Sequence, residues 1–212
     1  LYRYTVRAVN GASQSSFTAS KTLMFLAQPN VTFANASNGI KVSWNKVDGA
    51  TQYIVYSATY NAKTKKWSGW TNRGKVTATT WTDKNVKSGT YYKYTVKAVN
   101  GSYASTFMAT SGLLRLAQPT VKAAEAANGI SVTWNKIAGA KNYVVYRSEY
   151  VDGAWTGWTK KGTLASSKLS WVDTELAGGA KYRYTVKAVN GKASSSFKAS
   201  AGVTVTEASV SN

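Results

Sequence analysis

The 212-residue chain carries 27 Lys and Arg residues against 8 Asp and Glu residues, a formal net charge of +19, and it contains neither cysteine nor histidine. The lack of cysteine excludes a disulfide framework and a thiolate metal site, and the lack of histidine removes the commonest general base and metal ligand of proteins. The excess of positive charge favours salt-sensitive binding to polyanions, although the same charge can simply keep an extended protein soluble.

A ten-residue phrase organises the chain. Tyr2-Arg-Tyr-Thr-Val-Arg-Ala-Val-Asn-Gly11 returns at Tyr92–Gly101 and Tyr182–Gly191, so the copies start 90 residues apart. Aromatic and aliphatic residues alternate with basic and hydroxyl residues in every copy, which predicts a strand buried on one face. The closing Asn-Gly pair tolerates positive φ and predicts a hairpin turn, after which Ser105–Ala109 would form the second strand.

Residues 1–25 contain only the first copy of the phrase and the strand after it. We interpret them as the last two strands of a preceding domain, cut from a longer protein. A lone hairpin is marginally stable in water, so it needs a surface to complete it. Packing on the next domain, or pairing with another chain as an added strand, are the alternatives.

Two modules of about 90 residues follow. We place module one at 26–115, module two at 116–207 and the start of a linker at 208–212. Each module opens with Leu-Ala-Gln-Pro, in which the proline suits a first strand at a sheet edge, where a missing N–H costs nothing. Gly39–Trp44 and Gly129–Trp134 come next, and their alternation predicts a half-buried strand with a core tryptophan.

The third strand of each module is apolar on both faces. Tyr53–Tyr56 and Tyr143–Tyr146 are therefore expected to be central, or to carry an exposed contact surface. A Trp-x-Gly-Trp hairpin follows, at Trp67–Trp70 and Trp155–Trp158, and we expect its second tryptophan to pack on the core and its first to be exposed. Hydrophobic residues six positions before Tyr92 and Tyr182 suit a corner in which the tyrosine hydroxyl bonds to upstream backbone.

These features together resemble fibronectin type III domains. The resemblance rests on the early proline, Trp44 in the second strand, Tyr53-x-Val55 in the third, the hydrophobic residue before Tyr92, and the ending Val-x-Ala-Val-Asn-Gly. It is closest to the Lys- and Tyr-rich repeats of secreted and cell-wall-associated proteins of Gram-positive bacteria. It implies an all-β fold of tandem seven-stranded antiparallel β-sandwiches. The short connection between the modules implies a stiff rod.

The sequence offers no chemistry for catalysis. Asp48, Asp83 and Asp173 do not form matched acid–base pairs, no phosphate-cradling glycine loop follows a strand, and the few carboxylates do not cluster into a calcium cage. We therefore expect no enzyme activity, no metal and no cofactor. No apolar run approaches the ~20 residues of a membrane span, so we expect no membrane insertion.

A binding face can nevertheless be predicted. If Tyr53 and Val55 face the core, Tyr56 faces outward beside Lys93 and Lys97 of the neighbouring strand. The candidate ligand-binding residues are Tyr56, Trp67, Lys93 and Lys97 in module one and Tyr146, Trp155, Arg183 and Lys187 in module two.

Three interpretations of this face remain open. Aromatic rings and Lys stems can simply cover the sheet, they can contact an acidic glycan or anionic cell-wall polymer, or they can bind other surface proteins or further copies of the chain. Nucleic acid is disfavoured because a convex sandwich has no groove for a strand. The sequence thus favours a non-enzymatic extracellular segment, secreted or attached to the cell surface, that serves as a rigid spacer or adhesive stalk. The alternatives are a polymer-binding module and a fibre subunit.

Overall fold

The computed structural model describes residues 1–108 and 110–206 and contains β-strands but no helix in this part of the chain. The predicted linker at 208–212 lies outside the described residues, as does Glu207. The first copy of the phrase forms a short hairpin, in which β1 (Val9–Asn10) pairs with β2 (Ser13–Gln14) and Tyr2 bridges to Leu23. The predicted turn after the Asn-Gly pair is confirmed.

Module one contains two antiparallel sheets. Its strands are β3 (Val31–Ala36), β4 (Gly39–Trp44), β5 (Gln52–Asn61), β6 (Lys66–Trp67), β7 (Thr71–Val76), β8 (Thr80–Asp83), β9 (Tyr91–Asn100), β10 (Tyr103–Ala104) and β11 (Leu113–Leu114). One sheet has the order β3-β4-β8. The other is built on the pair β5-β9, with β7 and β6 beside β5, and β10 and β11 beside β9.

Module two repeats the arrangement strand for strand. Its strands are β12 (Val121–Ala126), β13 (Gly129–Trp134), β14 (Asn142–Val151), β15 (Ala154–Trp155), β16 (Thr159–Ala165), β17 (Ser170–Asp173), β18 (Lys181–Asn190), β19 (Ala193–Ser194) and β20 (Val203–Thr204). The sheet β12-β13-β17 faces a sheet built on the pair β14-β18. The predicted fold class is confirmed: the described residues form tandem antiparallel β-sandwiches, each made of two sheets.

The period-2 pattern determines which face of each strand is buried. Tyr94, Val96 and Ala98 are fully buried between the sheets of module one, where they meet Val42 and Val55. The equivalent positions of module two form a second, separate core. At about 25 cal/mol per Å² of apolar area removed from water, such side chains supply most of the stability of a protein without disulfides.

Three sequence expectations need correction. The first copy of the phrase was predicted to be a strand buried on one face, but it is a regular strand only at Val9–Asn10 and leaves Tyr4 61% exposed, because no second sheet packs on it in the described residues. The proline of each module precedes its first strand, which begins at Val31 and Val121, two residues after Pro29 and Pro119. The predicted second strand at Ser105–Ala109 is not a regular strand in its described residues, 105–108. Hydroxyl side chains hold this segment instead of a continuous backbone ladder, as described below.

The predicted tyrosine corner is present in both modules. The hydroxyl of Tyr92 accepts a hydrogen bond from Lys87 N at 2.9 Å, and that of Tyr182 accepts one from Ala177 N at 3.2 Å. The corner ties the loop after β8 or β17 to the long strand that follows, so it stabilises the crossing between the two sheets.

A buried carboxylate lies beneath this corner. The Tyr94 hydroxyl donates to Asp83 Oδ2 at 3.0 Å, and Asp83 is only 2% exposed. Burial, and then the charge of Asp83, raise the pKa of Tyr94 well above its ordinary value, so the phenol remains a donor. In module two, Tyr184 makes the same bond to Asp173, which Arg147 also contacts at 2.9 Å. No ion pair to Asp83 occurs among the described residues.

A network of hydrogen bonds forms the junction between the modules. Asn35 accepts from Leu116 N at 3.2 Å and donates to Ser194 O of module two at 3.0 Å. Ser88 Oγ donates to Ala138 O at 2.9 Å and accepts from Ala117 N at 3.0 Å. The connecting residue Arg115 is 5% exposed, and its guanidinium donates to Ala36 O at 2.8 Å.

Two glycines allow the modules to approach this closely. A Cβ added to Gly139 would lie 2.6 Å from the Cα of Gly89, far inside van der Waals contact. Both glycines also have positive φ, +86° and +83°, which side chains with a Cβ rarely adopt. The turn of module two thus rests directly on the backbone of module one.

The difference between the two buried carboxylates gives a stability prediction. Tyr94→Phe should lower the free energy of unfolding by about 1–3 kcal/mol, because Tyr94 is the one side-chain donor to the buried Asp83 carboxylate among the described residues. Tyr184→Phe should cost less, since Arg147 still pairs with Asp173. Urea unfolding followed by tryptophan fluorescence measures both. Tyr91→Phe, at an exposed tyrosine, is the control, and equal losses at Tyr94 and Tyr184 would contradict the prediction.

Candidate functional site

The candidate site is the outer face of the sheet built on β5-β9 in module one and on β14-β18 in module two, which we call the stacked face. The structure places all eight sequence-predicted residues there. In module one Tyr56 lies opposite Thr95, one residue pair away from the core residue Val55, so it faces outward as predicted. Lys93 and Lys97 share that outer face and are half-buried.

In module two, rings and cations form one continuous series of contacts. The Arg183 guanidinium lies between two tryptophans, 4.4 Å from the ring centre of Trp155 and 5.0 Å from that of Trp158. Trp158 meets the edge of Phe197 at 5.9 Å, and Lys187 Nζ lies 4.9 Å from the Phe197 ring. The series runs Lys181, Tyr150, Trp155, Arg183, Trp158, Phe197, Lys187 and Tyr146.

In module one the same series is interrupted. Lys93 Nζ lies 4.2 Å from the ring centre of Trp67, but no cation contact joins it to Trp70. Phe107 contacts Trp70, Lys97 and Tyr56, and these four residues form a second, separate group. The cation differs at this position: the planar guanidinium of Arg183 contacts both tryptophans, whereas the compact ammonium of Lys93 contacts only Trp67.

The tryptophan beside the cation sits in a notch made by a glycine. A Cβ on Gly112 would lie 2.9 Å from Trp67 Cη2, and one on Gly202 would lie 3.0 Å from Trp155 Cη2. Only glycine leaves room for these rings to lie across the sheet edge. Trp67 is accordingly half-buried and braces the β5-β6 hairpin against the segment before β11.

The expectation for the two tryptophans of each hairpin is therefore wrong. Trp70 and Trp158 were expected in the core, yet they contact Phe107 and Phe197 on the stacked face. All four tryptophans are half-buried on one surface. The turn inside the Trp-x-Gly-Trp motif brings both rings to the same side, so a simple alternation rule fails there.

Sequence reasoning missed Phe107 and Phe197 as members of the site. A signal was present, because Phe17, Phe107 and Phe197 are spaced by 90 residues in step with the phrase. The structure shows what the spacing means: Arg7 lies 4.7 Å from the Phe17 ring, the same pairing as Lys97 with Phe107 and Lys187 with Phe197. The contact therefore occurs in all three copies of the phrase.

The chemistry of this face is that of contact and binding. Cations and flat rings are available at the surface, while no group of three or more His, Cys, Asp or Glu residues that could hold a metal occurs in residues 1–108 and 110–206. No helix in that part of the chain is long and apolar enough to cross a membrane. Each cation on the stack is already partnered by a ring, which lowers its freedom but leaves its charge in place.

Comparison with known proteins gives similarity of structure alone. No family model matches the chain, and no curated protein matches it. A two-domain fibronectin type III segment of chicken tenascin is 17% identical, with a TM-score of 0.43 over 84% of this chain and 100% of that one. The chicken CNTN1 FN1-FN3 domains are 16% identical, with a TM-score of 0.38 over 97% of this chain and 78% of that one.

The α chain of the chicken interferon gamma receptor is 12% identical, with a TM-score of 0.44 over 85% of this chain and 98% of that one. At these identities and TM-scores the neighbours carry no argument about function, and the fold assignment rests on the strand order described above. They lend no support to the bacterial setting that the sequence resemblance implied.

The interrupted stack leads to a reciprocal prediction. Lys93→Arg should join Trp67 to Trp70 and raise the free energy of unfolding, while Arg183→Lys should break the stack and lower it, each by about 0.5–1 kcal/mol. Both exchanges conserve charge. Urea unfolding of the two variants measures the effect, and a shift in the same direction for both would contradict a role for guanidinium stacking.

Proposed function

We propose that the chain is a non-enzymatic spacer segment of an extracellular or cell-surface protein, whose tandem β-sandwiches hold their neighbours at a defined distance and angle. The observation that supports this function best is the junction. A spacer transmits position only if adjacent modules cannot bend freely, and bending is limited by contacts beyond the covalent connection.

The junction supplies contacts of that kind. Asn35 and Ser88 of module one each bond both to the connecting segment and to module two, so any change of angle breaks hydrogen bonds on two sides. Arg115 is buried, and its guanidinium donates to Ala36 O at the end of β3 and to Leu116 O within the connection. Breaking such bonds in a partly buried site costs about 0.5–1.5 kcal/mol each, which favours one orientation over many.

The composition agrees with a mechanical function. The chain has neither histidine nor cysteine, and both buried carboxylates are engaged by tyrosine hydroxyls in the cores. The described residues therefore offer no free acid–base pair in a cleft, which is what a hydrolytic or transfer reaction would need.

The junction can be tested with a matched pair of glycine variants. Gly139→Ala should loosen the contact between the modules because its Cβ would collide with Gly89, whereas Gly49→Ala places the same strain in the equivalent turn of module one, away from the junction. Spin labels at Lys63→Cys and Lys168→Cys report the distance between modules in a chain without native cysteine.

The unaltered chain should give a narrow distance distribution, Gly139→Ala a broad one, and Gly49→Ala a narrow one. A broad distribution in the unaltered chain would remove the basis for a stiff spacer. Equal broadening by both variants would assign the effect to turn strain rather than to the junction.

A second candidate function is binding of an anionic glycan or cell-wall polymer at the stacked face. The observation in its favour is that Lys97 and Lys187 occupy equivalent positions over Phe107 and Phe197, so both modules present cations in a fixed geometry. Fixed cations bind anions at a smaller entropic cost than mobile ones. The net charge of +19 would attract such a polymer over a distance.

Retention on beads that carry teichoic acid or heparin tests this candidate. The double variant Lys93→Ala/Arg183→Ala should lose most retention at low salt, as should Trp67→Ala/Trp155→Ala, because both remove parts of the stacked face. Lys41→Ala/Lys122→Ala removes the same charge from exposed positions on the opposite sheet and serves as the control. Equal losses of retention from the two charge variants would indicate non-specific attraction by net charge. No retention of the unaltered chain at low salt would exclude polymer binding and leave the spacer function as the proposal.

A further inference from the structure

An open seam runs along one side of each module, between the segment that leads into the first strand and the segment that precedes the last one. In module one it is lined by residues 28–33 and by residues 108 and 110–113, and it encloses a cavity of about 570 Å³. The equivalent seam of module two is lined by residues 118–121 and 198–201, with a cavity of about 350 Å³. No strand ladder joins the two sheets along this seam in the described residues, and one side-chain hydrogen bond crosses it in each module, from Thr106 to Gln28 at 3.5 Å and from Ser196 to Gln118 at 3.0 Å.

Hydroxyl side chains hold the outer segment of the seam in place. Ser105 Oγ accepts from Ala98 N at 3.0 Å, and Thr110 Oγ1 accepts from Tyr94 N and donates to Tyr94 O. Thr95 Oγ1 donates to Met108 O at 3.0 Å. Side chains of the segment therefore satisfy groups on β9 that a regular edge strand would satisfy with its backbone.

The consequence is a run of unused backbone donors. The N–H groups of Thr106, Phe107, Met108 and Ser111 donate no hydrogen bond to any described residue. Module two has the same arrangement. Ser195 and Ser200 are the holding residues, and the N–H groups of residues 196–199 and 201 donate no hydrogen bond to any residue that the structure describes. Exposed backbone donors at a sheet edge are a template for an added strand.

We propose that these seams are docking sites for an extended acidic segment of a partner protein, which adds as a β-strand beside residues 105–108 and 110–113 of module one and residues 195–203 of module two. Main-chain hydrogen bonds would provide the affinity, and the cavities beside the seam would receive alternate side chains. This inference is independent of the spacer function and of polymer binding at the stacked face.

Charge identifies the kind of partner. No carboxylate lines either seam among the described residues, and Lys198 lines the seam of module two. An acidic strand thus meets no like charge there and is attracted by the net charge of +19. A second copy of the chain carries the same +19 and would be repelled, so self-association through this edge is the less favourable occupancy.

A labelled peptide of alternating Glu and Val, about ten residues long to match a β-strand, tests the proposal on the full chain. It should bind at physiological salt, and a peptide of alternating Lys and Val should not. N-methylation of alternate residues of the acidic peptide keeps its charge but blocks backbone pairing, so it should weaken binding at least about tenfold. Fluorescence anisotropy measures the affinities.

Amide resonances show where the peptide binds. Shifts and slowed hydrogen exchange at residues 105–108, 110–113 and 195–203 support the seams, whereas shifts confined to Trp67, Lys93 and their counterparts would overturn the proposal. Equal affinity of the methylated peptide would also overturn it, because the attraction would then be charge alone, and so would the absence of binding.

Variants of the chain provide an independent test. Ser111→Pro together with Ala201→Pro deletes one unused N–H from each seam and removes no internal hydrogen bond, so affinity should fall several-fold. Ser111→Ala keeps the N–H and is the control. If the proline variant unfolds by circular dichroism, the methylated peptide remains the deciding measurement, since it leaves the protein unchanged.

Discussion

The structure depends on one constraint: in each module the long strand formed by the repeated phrase must bury one face in the core and present the other on the surface. Tyr94, Val96 and Ala98 point between the sheets and cannot be exposed without loss of the core. Lys93 and Lys97 point outward from the same ten residues. A shift of one residue would exchange the two sets, so the register of this strand is under strong control.

The two faces are stabilised by different interactions. Inside, apolar burial dominates, and the Tyr94 hydroxyl together with the Asn85 N–H satisfies the Asp83 carboxylate, which would otherwise be costly in a core. Outside, rings and cations pack side by side, with glycine at 112 and 202 leaving the space for a tryptophan. These contacts therefore pack the hairpin that bears the tryptophans against the long strand that bears the cations. They contribute to stability whether or not a ligand binds there.

The two modules also show how the same fold accommodates different charge arrangements. Module two neutralises its buried carboxylate with Arg147 on β14, while the equivalent position of module one is Ser57, which accepts a hydrogen bond from Arg73 on β7. The junction and the seams are likewise built from small polar residues, such as Asn35, Ser88 and Ser105, that bond to backbone atoms. The chain has no disulfide, so these local hydrogen bonds fix the backbone positions at the junction and the seams, which hydrophobic burial alone does not specify.

Sequence alone was sufficient for the repeat, the sandwich fold, the tyrosine corner and the outward direction of Tyr56, because strand alternation and a fixed repeat length are local properties of the chain. It also indicated that lysines and aromatic rings share one surface. Only the tertiary structure decided that Trp70 and Trp158 leave the core, that Phe107 joins the stack, and that Asn35 reaches Ser194 in the next module. Those contacts join residues far apart in the chain, and they depend on the turn of a hairpin, the room beside a glycine and the meeting of two modules, none of which a periodic pattern encodes.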